Sequence, residues 1–306
     1  MKYFLRFCFV LSFSGVFMTG CKKEDTPVTV IATAPADPGA PPSSTAGPIP
    51  PVPTVLNDND HMLMGNPSNA DFNPTNFDNY LMRKTYYSVS YNASRGGPNW
   101  VSWHLFPGDL GSTPRQDDFR EDSQLPAGYY RVQPTNYSGS GFDKGHNCPS
   151  GDRTITVPSN SATFLMTNMI PQAPNNNQLT WANMETYDRS LVSSGGKELY
   201  TIMGSYGAGG TGDLGYTTTI SGGTVTVPAF IWKVVVVLDN GNNDLSRVTP
   251  TTRVIAVITP NTNAINSNWK IYRTSVDAIE AATGYDLLSA LPVSVQAVLE
   301  SQVDTL

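Results

Sequence analysis

From Thr85 onward the chain carries short runs rich in Val, Ile, Thr, Tyr and Phe, separated by Gly, Pro, Asn and Asp. Such runs predict β-strands, because β-branched and aromatic side chains suit a pleated surface and the intervening residues favour turns. The pattern places strands at Thr85–Tyr91, Trp100–Leu105, Ala162–Thr167, Leu199–Tyr206, Val225–Leu238 and Arg253–Ile258. Helical signals are fewer. Leu179–Val192 repeats its apolar residues at helical spacing. Ser275 reads as an N-cap for a helix that Gly284 ends, and Val293–Gln302 is a last candidate. Mostly antiparallel β with a few flanking helices predicts an α+β domain over residues 56–306, with no repeat and no composition break to divide it. Gly207-Ala208-Gly209-Gly210-Thr211-Gly212 has the spelling of a dinucleotide fingerprint, but a dinucleotide site needs a helix next. Here Thr217–Ile220 and Thr224–Val227 follow and read as β, so the glycines predict a hairpin loop.

The first 55 residues are of another kind. Lys2 and Arg6 precede an apolar run, Phe7–Met18, which is too short to span a membrane and reads as a signal peptide over residues 1–20. Met18-Thr19-Gly20-Cys21 resembles a bacterial lipobox, which would make Cys21 the lipidated mature N-terminus. Lys22-Lys23-Glu24-Asp25 is similar to a signal that sends lipoproteins to the cell surface. Nine of the chain's 24 prolines fall between Pro27 and Pro53, which rules out a packed core there. Residues 21–55 are thus expected to be a lipid attachment point and a stiff linker, with a reach on the order of 100 Å in a polyproline II form. The expected location is the cell envelope, on the outer membrane.

Composition narrows the chemistry. Hydrophobic residues make up 39% and charged ones 14%, a globular balance. Cys8 lies in the signal segment and Cys21 at its end, so the domain holds Cys148 alone, which excludes an internal disulfide and a cysteine zinc site. His61, His104 and His146 are too scattered for a histidine metal cluster. The net charge is −6. The domain has 15 basic and 22 acidic side chains, so the chain lacks the basic tail of many nucleic-acid binders.

The informative stretch is Gly141-Phe142-Asp143-Lys144-Gly145-His146-Asn147-Cys148-Pro149-Ser150. It is flanked by Arg115-Gln116-Asp117-Asp118-Phe119-Arg120, Thr167–Gln172, Asn175-Asn176-Asn177, Trp181, Glu185 and Arg189. With these residues the chain resembles the sugar-non-specific DNA/RNA endonucleases of the ββα-metal (His-Me finger) fold, relatives of mitochondrial endonuclease G. Asp143-Lys144-Gly145-His146 matches that family's Asp-Arg-Gly-His signature with one substitution. Further similar segments are His61–Ser68, Pro98–Trp103, Val227–Lys233 and Ile279–Gly284, so the resemblance covers nearly the whole domain.

The resemblance implies an Mg²⁺-dependent phosphodiester hydrolase, with Mn²⁺ as a substitute, that cuts DNA and RNA to 5′-phosphate products. It implies His146 as general base and Asn177 as the side chain on the metal. Glu185 would orient metal-bound water, and Arg115 and Arg189 would clamp the phosphate. Asn177 is chosen among the three asparagines because it lies eight residues before Glu185 and twelve before Arg189, the family's interval. On one α-helix those steps are rotations of roughly 80° and 120°, which let all three face one cleft.

Two features depart from the family. Lys144 stands where the signature has arginine; it keeps the charge and loses the bidentate fork. An active enzyme, slower or differently selective, is expected. The acidic surface requires Arg115, Arg120, Lys144, Arg153 and Arg189 to form a local basic patch, and with it strong inhibition by salt. A surface lipoprotein that keeps the fold and only binds nucleic acid or another partner is the alternative. Of the remaining residues, Asn175 and Asn176 suit turn or cap positions, Arg120 and Arg153 solvated surface charges, and Cys148 a buried thiol. Trp100, Trp103, Trp181 and Trp232 suit the core, and His61 and His104 structural roles. Asn168 fits either a support of the site or a buried strand-end amide.

Overall fold

The computed structural model describes residues 57–306. The expected signal peptide, Cys21 and linker lie outside the described residues. In chain order the domain runs β1 (Tyr80–Arg83), β2 (Ser88–Asn92), β3 (Gly97–Leu105), β4 (Asp143–His146), α1 (Val157–Ala162), β5 (Met169–Gln172), α2 (Ala182–Ser193), β6 (Lys197–Tyr206), β7 (Gly210–Gly212), β8 (Gly215–Thr217), β9 (Thr219–Ile220), β10 (Val225–Thr226), β11 (Phe230–Asp239), α3 (Asp244–Arg247), β12 (Arg253–Pro260), β13 (Arg273–Thr274), α4 (Val276–Thr283) and α5 (Val293–Leu299).

Seven strands form one antiparallel sheet in the order β1-β2-β3-β6-β11-β12-β13. Both faces are covered, which explains the almost unbroken apolar run Val234–Leu238 at its centre. Alternation along β11 sends Ile231, Val235 and Val237 to one core and Trp232, Val234, Val236 and Leu238 to the other. The first core receives Trp181, Met184 and Val192 from α2 and its lead-in, with Ile170 of β5 and Cys148. The second receives Val276 and Ile279 of α4 and Leu299 of α5. The four expected core tryptophans are all at most 1% exposed.

Ser275 caps α4 through Ala278 N–H, and Gly284 closes it in the left-handed region, as the sequence predicts. The glycine-rich segment forms the β7–β8 hairpin. Two expected strands differ. Val225–Leu238 breaks at Pro228, which has no N–H to give a ladder, leaving β10 and β11 as separate strands. Ala162–Thr167 is not a strand. Thr156 caps α1 at Ser159, with proline in the first turn, and the helix takes up Ala162. The following residues meet another strand-like segment only at the single Arg120–Leu165 bridge.

Candidate active site

The site is built on the short antiparallel pair β4–β5, in which Asp143 faces Gln172, Gly145 faces Ile170 and His146 faces Met169. Gly145 is required by close approach, since a Cβ there would overlap the Gln172 side chain. Beyond His146 the chain is braced by Asn168. Its Oδ1 accepts Cys148 N–H at 2.9 Å, and its Nδ2 donates to the carbonyls of Cys148 and Thr163, each at 2.9 Å. Asn168 is thus a fully buried support for the strand that carries His146, and Cys148 is a buried thiol whose pKa burial pushes up.

Alternation along β4 puts Lys144 and His146 on the same face. The His146 ring packs against Phe164 at 4.9 Å, edge to face, and against Phe119 at 5.6 Å. Each of these rings also carries a cation. Lys144 Nζ lies 4.8 Å from the centroid of Phe119, and the Arg115 guanidinium lies 4.8 Å from that of Phe164. His146 is 8% exposed, and its Nε2 is enclosed without a hydrogen-bond partner. Burial first, then the Arg115 and Lys144 charges, hold the imidazole down at about 3, below the value near 6.5 expected from its residue type.

The second part of the site is the tight turn Ser150–Asp152. Arg115 donates to Ser150 Oγ at 2.9 Å and pairs with Asp117 at 2.6 Å. The Arg189 guanidinium lies against Gly151, where a Cβ would come within 2.9 Å of it. Arg189 pairs with Asp152 Oδ1 at 3.2 Å and with Glu185, one turn back on α2, at 3.8 Å. Asp152 is itself 4% exposed and fixed by Trp103 Nε1 at 3.0 Å. Two arginines from distant parts of the chain therefore converge on one three-residue turn that follows His146.

Asn177 sits elsewhere than one straight helix would put it. The segment Asn176–Trp181 is a π-helical turn that leads into α2, so the α-helical rotations expected between Asn177, Glu185 and Arg189 do not apply. The turn is wide because its polar side chains are tied to a neighbouring segment. Asn176 Nδ2 donates to Pro260 O at 2.9 Å, and Thr180 Oγ1 to Asn266 O at 2.9 Å. Asn175 likewise bonds Asn263, so neither Asn175 nor Asn176 acts as a side-chain cap. Asn177 Nδ2 donates to Asp143 Oδ2 at 2.9 Å, and Gln178 Nε2 to the same oxygen at 2.8 Å. Asp143 thereby orients the Asn177 amide and joins α2's lead-in to the strand of His146.

Beneath α2 lies a buried charge cluster. Lys233 of β11, 1% exposed, stands 3.5 Å from Asp188 and 4.9 Å from the centroid of the Trp181 ring. Burial pushes Glu185 up to about 7 against the opposing pull of Lys233 and Arg189, with Asp152 and Asp188 adding to the rise. Asp188 is pushed up to about 6, again chiefly by burial. Glu185 and Arg189 thus sit together as expected.

The basic patch is smaller than the sequence suggested. Arg153 is fully buried and donates to the carbonyls of Tyr86, Asp152 and His104; it is a structural residue and no part of a surface. Arg120 is partly exposed but tied to Asp118 and to Ser161 O. Arg115, Lys144 and Arg189 remain. His61 bonds Thr85 O and the backbone N–H of His104, and His104 contacts buried Glu198, in keeping with structural roles. Arg247 forms ion pairs with both Glu198 and Asp244. Sequence reasoning missed Asp152, Phe119 and Phe164. Asp152 and Phe119 lie in or beside the quoted segments, but their partners are distant in sequence.

Residues 64–294 match the DNA/RNA non-specific endonuclease family. The chain belongs to that family. A nuclease of Nostoc sp. is 52% identical over 244 residues, spanning 80% of this chain and 86% of that protein. Nuclease C1 of Cunninghamella echinulata is 31% identical over 221 residues, or 68% of this chain and 83% of that one. Human mitochondrial endonuclease G is 37% identical over 116 residues, 37% of this chain and 39% of that one. A chain in the crystal structure of an EndoG/EndoGI complex has the same fold, with a TM-score of 0.61 at 22% identity over 79% of this chain and 95% of that one. The family's α+β, ββα-metal architecture is the one expected, and β4, β5 and α2 supply its ββα unit. The protein is an endonuclease acting on nucleic acid.

Proposed function

We propose that this endonuclease hydrolyses DNA and RNA to 5′-phosphate products with Mg²⁺, or Mn²⁺ in its place, and that His146 is its general base. The observation that carries this reading is the His146 ring, kept neutral between Phe119 and Phe164 beside the cations of Arg115 and Lys144. Nε2 is shut off from solvent, so the nitrogen that can meet an attacking water is Nδ1, which accepts in the tautomer with the ring proton on Nε2. Arg115, Lys144 and Arg189 hold the phosphate oxygens and offset charge as it builds on them. An attacking water gives its proton to Nδ1 while its oxygen bonds to phosphorus and the bond to the 3′ oxygen breaks. A phosphate anion beside the ring also offsets the two cations that depress it, so substrate raises the basicity of His146.

The donor set fits a hard dication. Asn177 gives its amide nitrogen to Asp143, which leaves the amide oxygen to serve as a ligand. Glu185 is a partly buried carboxylate with two acidic neighbours, Asp152 and Asp188, and suits the orientation of a metal-bound water. The metal, when bound, supplies charge to polarise the phosphate and stabilise the leaving oxygen. The test is incubation of residues 56–306 with supercoiled plasmid and with RNA, in Mg²⁺, in EDTA, and with His146→Ala in Mg²⁺. Cleavage of both substrates is expected only for the wild type with Mg²⁺. Equal cleavage by His146→Ala, or cleavage undiminished in EDTA, refutes the mechanism.

The N-terminal sequence supports a further part of the proposal, anchoring to the cell envelope through lipid on Cys21. Labelling with a radioactive fatty acid should mark the wild type and not Cys21→Ser.

A further inference from the structure

On the face of the central sheet opposite β4 and β5, α4 and the end of α5 bring acidic side chains together. Asp277 and Glu280 stand on the first turns of α4, and Glu300 ends α5. One carboxylate oxygen from each lies within 4.8 Å of the others. The backbone fixes the arrangement, since Asp277 N–H donates to Glu300 O at 3.0 Å and Glu280 Oε1 accepts Leu287 N–H at 2.6 Å. Glu300 is 7% exposed, and its Oε1 is enclosed with no hydrogen-bond partner. The charged groups that act on Glu300 are Glu280, Asp277 and Asp286, all acidic. A buried carboxylate oxygen without a donor or a counter-charge is costly, and an ion of opposite sign removes that cost.

We propose that Asp277, Glu280 and Glu300 form a calcium site, separate from the catalytic centre, that clamps α5 onto α4. The ligands are all oxygen, and Asp277 is exposed, so water can complete the six to eight ligands calcium takes. Magnesium fits less well, because it demands a strict octahedron and keeps most of its own water. The site stabilises the fold without entering the reaction.

The experiment uses Asn177→Ala protein, which removes the proposed catalytic ligand, so a failure here is distinct from a failure of the nuclease mechanism. Equilibrium dialysis with ⁴⁵Ca²⁺ at pH 8 should find one bound ion. At calcium a hundredfold above Kd, Tm should rise by about 5–10 °C. Adding Glu300→Gln should abolish both, and so should the more exposed pair Asp277→Asn with Glu280→Gln, which guards against a folding defect in the first. In an otherwise wild-type chain, Glu300→Gln should leave the Mg²⁺-supported cleavage rate unchanged. Absence of bound calcium, an equal Tm rise with Mg²⁺, or a rise that survives both sets of substitutions overturns the proposal. So does a calcium-independent Tm gain on acidification from pH 8 to 6 that matches the calcium-induced rise and is lost in Glu300→Gln, since a proton shared among the carboxyls then does the work.

Discussion

Asp152→Asn isolates the contact that fixes Arg189. The aspartate is 4% exposed and accepts two hydrogen bonds, from Trp103 Nε1 at 3.0 Å and from Arg189 at 3.2 Å. Asparagine has nearly the same shape but one acceptor oxygen, so its NH₂ must face one of those donors. Loss of a charge-assisted hydrogen bond costs about 1.5–3 kcal/mol. Arg189 is 26% exposed and recovers part of that from water, so about 2 kcal/mol is expected, or a fall of about 4–8 °C in Tm. Freed from its anchor, Arg189 no longer presents a fixed guanidinium. A misplacement of about 1 Å at a reacting centre is worth about 100-fold, so kcat/KM should fall about 10- to 100-fold. The substitution also removes a negative charge that helps to push Glu185 up, so the acid limb of the pH profile should move to lower pH. Plasmid cleavage followed by gel from pH 5 to 9, with a thermal melt, measures all three. If Tm falls while kcat/KM stays within twofold and the acid limb does not move, Asp152 is merely structural and the role assigned to Arg189 through it is wrong.

Gly145→Ala should destabilise by about 1–3 kcal/mol, read from the urea midpoint, because the new methyl group overlaps Gln172 across β4–β5. With Glu185 at about 7 in the free protein, kcat/KM should fall as pH drops through 7, and Glu185→Gln should remove that limb while lowering the rate. The same group takes up a proton on folding between its unfolded value of about 4.3 and about 7. Its contribution therefore favours the folded state in acid and is lost as pH rises through 7, so wild-type Tm should decline over that window more than that of Glu185→Gln. Three cations at the site predict that log kcat/KM on duplex DNA falls against log salt with a slope of roughly −2 to −3, made shallower by about one in Lys144→Ala.

The sequence by itself determined the segments whose rules are local. Ser275 and Gly284 mark α4 because a cap and a left-handed stop act on their own turn. The β-branched run Val234–Val237 marks a strand by side-chain type alone. The Asp143–His146 signature, with the further similar segments His61–Ser68, Pro98–Trp103, Val227–Lys233 and Ile279–Gly284, was enough to indicate the family and its fold. The tertiary structure decided what depends on distant partners. It put Arg153, which reads as a surface cation, wholly inside, because carbonyls of Tyr86 and His104 were there to accept its protons. It turned Asn176–Trp181 into a π-helical turn, because Asn176 and Thr180 are held by residues more than 80 positions away. It moved the His146 imidazole far below its ordinary value, since desolvation and two facing cations arise only when β4, Phe164 and the Arg115 segment are packed together. Local propensity is written into each stretch of chain; burial, charge pairing and pKa belong to neighbours that folding alone supplies.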